Sequence, residues 1–209
     1  MENTELMPKE QAEPELPVSV QVDNLMVNTK QLNQIYKVAS MYSRSSMVPD
    51  TYRGNPDNCF VACELAARMN VSPILVMQNL YIVQGKPSWA GQACKALIDG
   101  CGRFSNSEYI FIGEPGTPTW GCYLQAVNNS TGKLVRGTTI TWQMASAEGW
   151  LDKKGSKWKT MPEQMMKYRA AAFFARTECP EVLMGYQTAD EVEDIGRPDP
   201  EKITISLEG

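Results

Sequence analysis

WKTMPEQMMKYRAAAFFAR, residues 158–176, is the stretch of sequence that decides the fold. Thr160 and Glu163 have the spacing of a capping box, in which each side chain bonds to the other residue's backbone N–H, and Pro162 suits a first helical turn. The pattern stops at Cys179, because a residue that precedes a proline is disfavoured in the helical conformation. The stretch therefore predicts a long helix that follows a basic loop.

The predicted helix carries two arginines on nearly the same face, because Arg169 and Arg176 are seven residues apart, whereas Lys167 points away from them. The segment 153–176 holds seven basic residues against Glu163 alone. Such a segment suits single-stranded nucleic acid, since cations hold phosphates and an aromatic ring stacks on a base at about 1–3 kcal/mol. The candidate DNA-binding residues are Arg169, Arg176, Trp158, Lys157, Lys159, Lys153, Lys154 and Lys167.

A structural interpretation of the same residues stays open. Charge runs are commonly solvated surfaces, and Trp158 then anchors the loop instead of stacking on a base. The two arginines would in that case form ion pairs with acids such as Glu178 or Glu181.

Charge is divided unevenly along the chain. The net charge is −4 and the pI is about 5.0, which by itself argues against a polyanionic partner. Residues 1–16 contain five acids and one lysine, and residues 190–209 contain seven acids and two bases. The part between them is therefore basic, which favours a site for a polyanion. We expect acidic tails at 1–16, predicted to be disordered, and at 196–209, around a core at 17–195.

Several function classes are excluded by missing residue types. The chain has no histidine, which removes Ser-His-Asp and Cys-His triads and His-ligated zinc. It also lacks the GxxxxGK[ST] phosphate loop of ATP-driven enzymes. No apolar run approaches the roughly 18–20 residues that span a bilayer, and the acidic N-terminus is unlike a secretory signal. We expect a cytoplasmic protein that has no membrane partner and no cofactor.

The six cysteines do not form a recognisable metal or disulfide pattern, since none lies in a CxxC pair. Cys59 and Cys63 are one helical turn apart, but two ligands supply only half of a structural zinc site. We expect the cysteines to be small buried side chains that bind no metal, in a protein of a reducing compartment.

Local signals predict a mixed order of elements. Helices are predicted over 29–45, from Pro56 to Arg68 behind an Asn55 cap, after Ser72-Pro73, and over 92–102. A hairpin is predicted at 80–90, with Gly85 in its turn. Three extended runs follow at 107–113, 119–127 and 134–142, separated by turn signals. The predicted fold class is α+β: a three-stranded antiparallel meander and a β-hairpin packed with helices, including the long basic helix near the C-terminus.

The stretch 158–176 resembles the signature of the RecT/Red-beta family of phage single-strand annealing proteins, which share its tryptophan, its proline and its basic helix. Upstream, residues 60–104 resemble that family in the order helix, proline, hairpin and helix. Downstream, Gly185-Tyr186 and the run 188–191 resemble the close of the family's core. The resemblance covers about residues 50–195, and it departs from the family's basic pattern at Glu163.

This resemblance implies a single-strand annealing core that works without ATP and is not an enzyme. It implies that the protein binds single-stranded DNA, oligomerises as rings or helical filaments, and anneals complementary strands in phage-type recombination within a bacterial host cell. Basic side chains of the signature helix, here Arg169 and Arg176, would hold the DNA backbone. The annealed duplex is an implied partner, as is a phage exonuclease or a single-strand-binding protein, although a C-terminal recruiting domain is expected to be missing. The predicted helix at 29–45 and the hairpin are the candidate subunit contacts.

Two other functions stay open at this point. A plain single-strand-binding protein would protect DNA without pairing it. A metal-dependent nuclease would use the acidic cluster Asp190, Glu191, Glu193 and Asp194, although acids at this spacing are more typical of a solvated helix face.

Overall fold

The computed structural model describes residues 29–195. The predicted tails at 1–16 and 196–209, together with residues 17–28 of the predicted core, lie outside the described residues. The helices are α1 (Thr29–Ser43), α2 (Pro56–Met69), α3 (Pro73–Asn79), α4 (Gly91–Gly100), α5 (Trp142–Ala147), α6 (Pro162–Glu178) and α7 (Ala189–Ile195), with a 3-10 helix at Pro180–Leu183.

Two small sheets lie among these helices. The strands are β1 (Leu80–Val83), β2 (Lys86–Trp89), β3 (Phe104–Ile112), β4 (Gly121–Asn128), β5 (Leu134–Arg136), β6 (Ile140–Thr141) and β7 (Gln187–Thr188). The hairpin β1–β2 is antiparallel, and β7 adds to β2 in parallel. In the second sheet β4 pairs antiparallel with β3, β5 and β6. The predicted α+β class, the hairpin and the antiparallel meander are confirmed.

The third strand of the meander differs from the prediction, since it is split into β5 and β6 around Gly137. The amide of Gly137 still donates to the Leu124 carbonyl at 2.9 Å, so the chain stays beside β4. A Cβ at Gly137 would lie 2.9 Å from Cδ2 of Phe174, which is closer than real Cβ contacts. The split therefore coincides with the point where α6 reaches the sheet, and strand alternation in the sequence does not signal this approach.

The helix starts follow the local signals in two cases and depart from them in one. The Asn55 side chain accepts from the Asn58 amide at 3.0 Å and caps α2, as predicted. α3 begins at Pro73 behind the cap residue Ser72, as predicted, although the Ser72 side chain makes no capping bond. The predicted capping box of α6 is wrong, because Met161 is the cap residue and makes no side-chain bond. Thr160 instead donates its hydroxyl to the Lys157 carbonyl, which closes the loop upstream.

The core has two parts, which lie on either side of α6. The larger part lies between α2, α4 and one half of the β3–β4 sheet, and includes the fully buried Trp89, whose indole N–H donates to the Leu183 carbonyl at 3.1 Å. The smaller part lies under the basic loop and contains Trp120, Trp150 and Trp158. Because α6 packs against both parts of the core, seven of its seventeen residues are buried.

All six cysteines are free thiols, and five of them are buried. Burial raises the pKa of Cys63 to about 11 and that of Cys94 to about 12. These thiols therefore stay protonated near neutral pH and act as small apolar side chains, as predicted.

No single helix among residues 29–195 is both long and apolar enough to cross a membrane. α2 and α3 reach the required length and composition only as a pair that is bent by 115°.

Candidate functional site

A groove of about 430 Å³ runs beside the basic loop between α5 and α6. The hairpin, the start of α4 and α7 also line this groove. The lining residues that carry charge or an aromatic ring are Tyr81, Trp150, Lys153, Lys154, Lys157, Trp158, Tyr168, Arg169, Asp190 and Glu193. The groove thus collects most of the predicted DNA-binding residues.

The basic loop is held in place by two tryptophans. Trp150 and Trp158 pack against each other with ring centroids 5.3 Å apart and an interplanar angle of 32°. Ser156 bridges them, since its hydroxyl donates to the Trp150 carbonyl at 2.6 Å and accepts from the Trp158 amide at 3.3 Å. Only 3% of Trp158 is exposed. The structure therefore places this ring as the loop's anchor, not as the exposed stacking platform that the sequence pattern predicts.

The lysines of the loop differ in their exposure and in their ion pairs. Lys154 and Lys157 are exposed, and neither forms an ion pair within residues 29–195. Lys159 is also exposed, and its ammonium lies 3.0 Å from a carboxylate oxygen of Asp152. Lys153 is half-buried and forms an ion pair with Asp194 of α7. Lys154 and Lys157 are accordingly the cations that this groove offers most readily to a ligand.

Arg169 lies at the bottom of the groove, with only 4% of its side chain exposed. Its guanidinium pairs with Asp194 and lies 4.3 Å from the ring centroid of Trp150, in cation–π geometry. Its Nε is buried and has no hydrogen-bond partner among the described residues. Burial lowers the pKa of Arg169, while the nearby carboxylates of α7 act in the opposite direction. Arg169 therefore joins α6, the loop and α7.

Arg176 follows on the same face of α6 and also turns to α7. Its guanidinium lies 2.5 Å from Oε2 of Glu191, and its side chain remains 42% exposed. The same carboxylate oxygen accepts hydrogen bonds from the amide and the hydroxyl of Thr188, both at 2.8 Å. The expected partners of the structural interpretation were wrong, since Glu178 pairs with neither arginine and Glu181 pairs with Arg103.

The acidic cluster on α7 is not a solvated face throughout, contrary to the expectation from its spacing. Glu191 is 8% exposed and Asp194 has 19% of its side chain exposed, because both are used by the arginines of α6. Within residues 29–195 no three cysteine or carboxylate side chains converge in a way that could hold a metal ion. Asp190 and Glu193 also line the groove, where they add negative charge beside the lysines of the loop.

Lys167 lies away from the two arginines, as its helical position predicts. Its ammonium is 5.5 Å from the ring centroid of Phe111 and 5.9 Å from that of Tyr109, both on β3. It therefore belongs to a different surface from the groove, on the side of α6 that faces the meander.

The predicted site residues thus fall into four groups: the exposed lysines Lys154, Lys157 and Lys159 of the loop, the basic residues Lys153, Arg169 and Arg176 that pair with carboxylates of α7, the buried Trp158, and Lys167 over β3. Sequence reasoning missed Trp150. It considered the carboxylates of α7 as a nuclease cluster or a solvated helix face, but not as partners of the arginines of α6. The groove can attract an anionic chain and pack against it with Tyr81 and Tyr168. No family model matches this chain, and neither the curated proteins nor the solved structures contain a match to it.

Proposed function

We propose that this chain binds single-stranded DNA without ATP, oligomerises, and anneals complementary strands, in the manner of the RecT/Red-beta proteins that its sequence resembles. The proposal rests on Lys154 and Lys157, two exposed lysines that form no ion pair within residues 29–195, on a loop that two packed tryptophans hold beside a groove. The order of hairpin, helix, meander and basic helix supports it.

The chemistry of the groove suits an anionic strand better than a small acid. Two flexible ammonium groups along the loop act as point charges for successive phosphates, and they need no fixed geometry. Tyr81 is 40% exposed and Tyr168 is half-buried, so the groove also offers aromatic surface for bases. The carboxylates of Asp190 and Glu193 also line the groove and would repel phosphates, so the proposed backbone contacts are those of the loop lysines.

The arginines take a supporting part in this proposal. Arg169 already contacts Asp194 and the Trp150 ring, so it stabilises the loop that carries the two lysines. Arg176 keeps two fifths of its side chain exposed and can share its guanidinium between Glu191 and a phosphate.

Oligomerisation is proposed through apolar surface that the single chain leaves exposed. Tyr36, Val38 and Met41 of α1 are 45%, 43% and 65% exposed, and Tyr81 and Ile82 of the hairpin are 40% and 48% exposed. Such surface commonly marks interaction sites. The proposed setting is the bacterial cytoplasm, with a phage exonuclease or a single-strand-binding protein as further partners.

The test is binding of a fluorescent oligothymidylate by the full chain and by the double variant Lys154→Gln/Lys157→Gln, at several salt concentrations. The variant should bind more weakly, and the slope of log affinity against log salt should fall by about 0.7 for each lost phosphate contact. Lys133→Gln is the matched control, because this exposed lysine lies in the turn between β4 and β5, away from the groove.

Three results would count against the proposal. Equal affinity in the double variant and the wild type would remove the groove from the proposed site. Binding that does not change with salt would exclude a phosphate-based interface. Metal-dependent cleavage of the oligonucleotide would favour the nuclease alternative, since an annealing protein leaves its strands intact.

A further inference from the structure

An apolar cleft of about 310 Å³ lies between the end of α2, the end of α4 and the 3-10 helix. The groove described above is lined by the opposite end of α4, so the two sites are separate. Part of the cleft is open to solvent, since Ala96 and Met184 are exposed. Its other apolar lining includes Met69, Val71, Leu97 and Val182. Apolar surface gathered in this way commonly marks an interaction site.

The charged groups at the cleft already pair within the chain. The Nε of Arg68 lies 2.5 Å from a carboxylate oxygen of Glu64, and Glu181 pairs with Arg103. Within residues 29–195, no buried polar side-chain atom at this cleft lacks a hydrogen-bond partner. A site for a small molecule offers a few polar groups that orient the ligand. This cleft therefore suits an uncharged, apolar segment of polypeptide better than a small polar ligand.

Helices α1 and α2 run antiparallel, which brings the start of α1 to the cleft. A main-chain hydrogen bond of 2.8 Å joins the last residue of α1 to the loop just before α2. Further along the pair, the rings of Tyr36 and Phe60 have centroids 6.2 Å apart. From that contact, Thr29 lies about 10 Å back along α1 and Met69 about 14 Å forward along α2, at about 1.5 Å per residue. The start of α1 therefore lies beside the end of α2, where Met69 lines the cleft.

The first half of α1 has little to hold it to the rest of the described chain. The buried residues of α1 are Ala39 and Ser43, and none of residues 29–38 is buried. Just before the helix, the sequence places three apolar residues in a row between two asparagines, at 25–27. An extended residue spans about 3.3–3.6 Å, so this run reaches about 14 Å from the start of α1.

We propose that Leu25, Met26 and Val27 dock in the apolar cleft of their own chain and fasten the first half of α1 to the ends of α2 and α4. Burial of apolar side chains in an open apolar cleft is favourable. The short connection to α1 keeps the run at a high effective concentration beside its own cleft, which favours that cleft over the one on a neighbouring copy. Docking of this run involves no DNA and is therefore independent of the proposed function.

Cys101 allows the docking to be measured in the full chain. It lines the cleft and is half-buried, and its thiol donates to the Ile98 carbonyl at 3.0 Å, whereas the other five cysteines are buried. A docked run would cover this thiol. The experiment measures the rate at which N-ethylmaleimide alkylates each cysteine, with the modified residues assigned by peptide mass spectrometry.

We expect the triple variant Leu25→Asp/Met26→Asp/Val27→Asp to raise the alkylation rate of Cys101, because carboxylates are not retained in an apolar cleft. The expected increase is about tenfold, which corresponds to a wild-type run that is undocked about a tenth of the time. Val18→Asp/Val20→Asp/Val22→Asp is the matched control, with the same added charge, and should react like the wild type. Cys94 is fully buried and should stay unmodified wherever the variant is folded.

A cross-link gives an independent measurement. In the full chain carrying Met26→Cys, mild oxidation with copper phenanthroline should join the new thiol to Cys101 within one chain, because a disulfide forms where the two Cα atoms come within about 7 Å. Val20→Cys is the control and should stay unlinked.

The outcomes decide between the possible occupants of the cleft. Unchanged alkylation of Cys101 in the triple aspartate variant would overturn the proposal, as would an equal increase in the matched control. If the triple variant also exposes Cys94, the Met26→Cys link decides, and its absence overturns the docking. A link between two chains, or protection of Cys101 that is lost on dilution, would place a second copy in the cleft and would also overturn docking within one chain.

Discussion

Arg169 organises the proposed site through buried contacts within the chain. Its charge is almost completely removed from water, and it is compensated by Asp194 and by the face of the Trp150 ring. A buried charge of this kind costs several kcal/mol to desolvate, so Arg169 without Asp194 is left uncompensated, whereas Asp194 without Arg169 keeps only its ion pair with Lys153. The pairing therefore ties α6 to α7 and, through Trp150, to the basic loop.

We predict that Arg169→Ala destabilises the protein by about 3 kcal/mol, because Trp150 loses its buried cation and Asp194 keeps only its pair with Lys153. For a chain of this size the melting temperature should fall by roughly 6–12 °C. Urea unfolding followed by tryptophan fluorescence measures the change. Arg103→Ala is the matched control, since its pair with Glu181 is exposed and should contribute little. Equal stability of the two variants would contradict the structural role of Arg169.

At the scale of elements, α6 is the part on which both halves of the core depend. It packs on α4 and β4, and Phe174 near its end contacts Phe104 of β3 with ring centroids 5.2 Å apart. The sheet adapts to this helix at Gly137, where the third strand of the meander is interrupted. Close contact between helix and sheet here is possible only because residue 137 has no side chain.

We predict that Gly137→Ala lowers stability by about 1–3 kcal/mol, because its methyl group would overlap Phe174 in a close-packed core. Gly100→Ala is the control, since a Cβ at the end of α4 meets nothing within 4 Å. That variant should be at least as stable as the wild type, because alanine favours helix more than glycine does. Thermal unfolding of both variants checks the prediction, which fails if Gly137→Ala melts with the control.

What the sequence could predict follows from the range of the interactions involved. Asn55 and Pro56 determine a helix start through bonds within one turn, and this prediction is confirmed. Arg169 and Asp194 are twenty-five residues apart, and no local pattern indicates that they pair. The sequence around Trp158 is compatible both with an exposed ring and with a buried anchor, because the burial of this ring depends on Trp150 and on the position of α6. Local signals therefore identified most residues of the proposed site, while the contacts between these residues depend on the tertiary structure.

At the scale of the whole molecule, the proposed DNA surface and the proposed subunit contact meet at the hairpin. Lys154 and Lys157 lie on the loop beside the groove, exposed apolar residues lie on α1 and the hairpin, and Tyr81 of the hairpin also lines the groove. In the proposed function, a strand that follows the groove would therefore pass beside the contact between subunits. An assembly of this kind would hold many nucleotides at once, which pairing of complementary strands requires, because one subunit reaches only a few of them.

We propose above all that the protein speeds the pairing of complementary strands. The most direct measurement monitors the annealing of two complementary oligonucleotides by fluorescence energy transfer. Labelled strands are mixed without ATP, with and without the full chain, and with Lys154→Gln/Lys157→Gln as the comparison. We expect the wild type to raise the annealing rate at least about tenfold, which corresponds to about 1.4 kcal/mol of barrier lowering, and the variant to lose most of this effect. Annealing that is slowed or unchanged while the strands are bound would contradict the claim and would identify a protein that only protects single-stranded DNA.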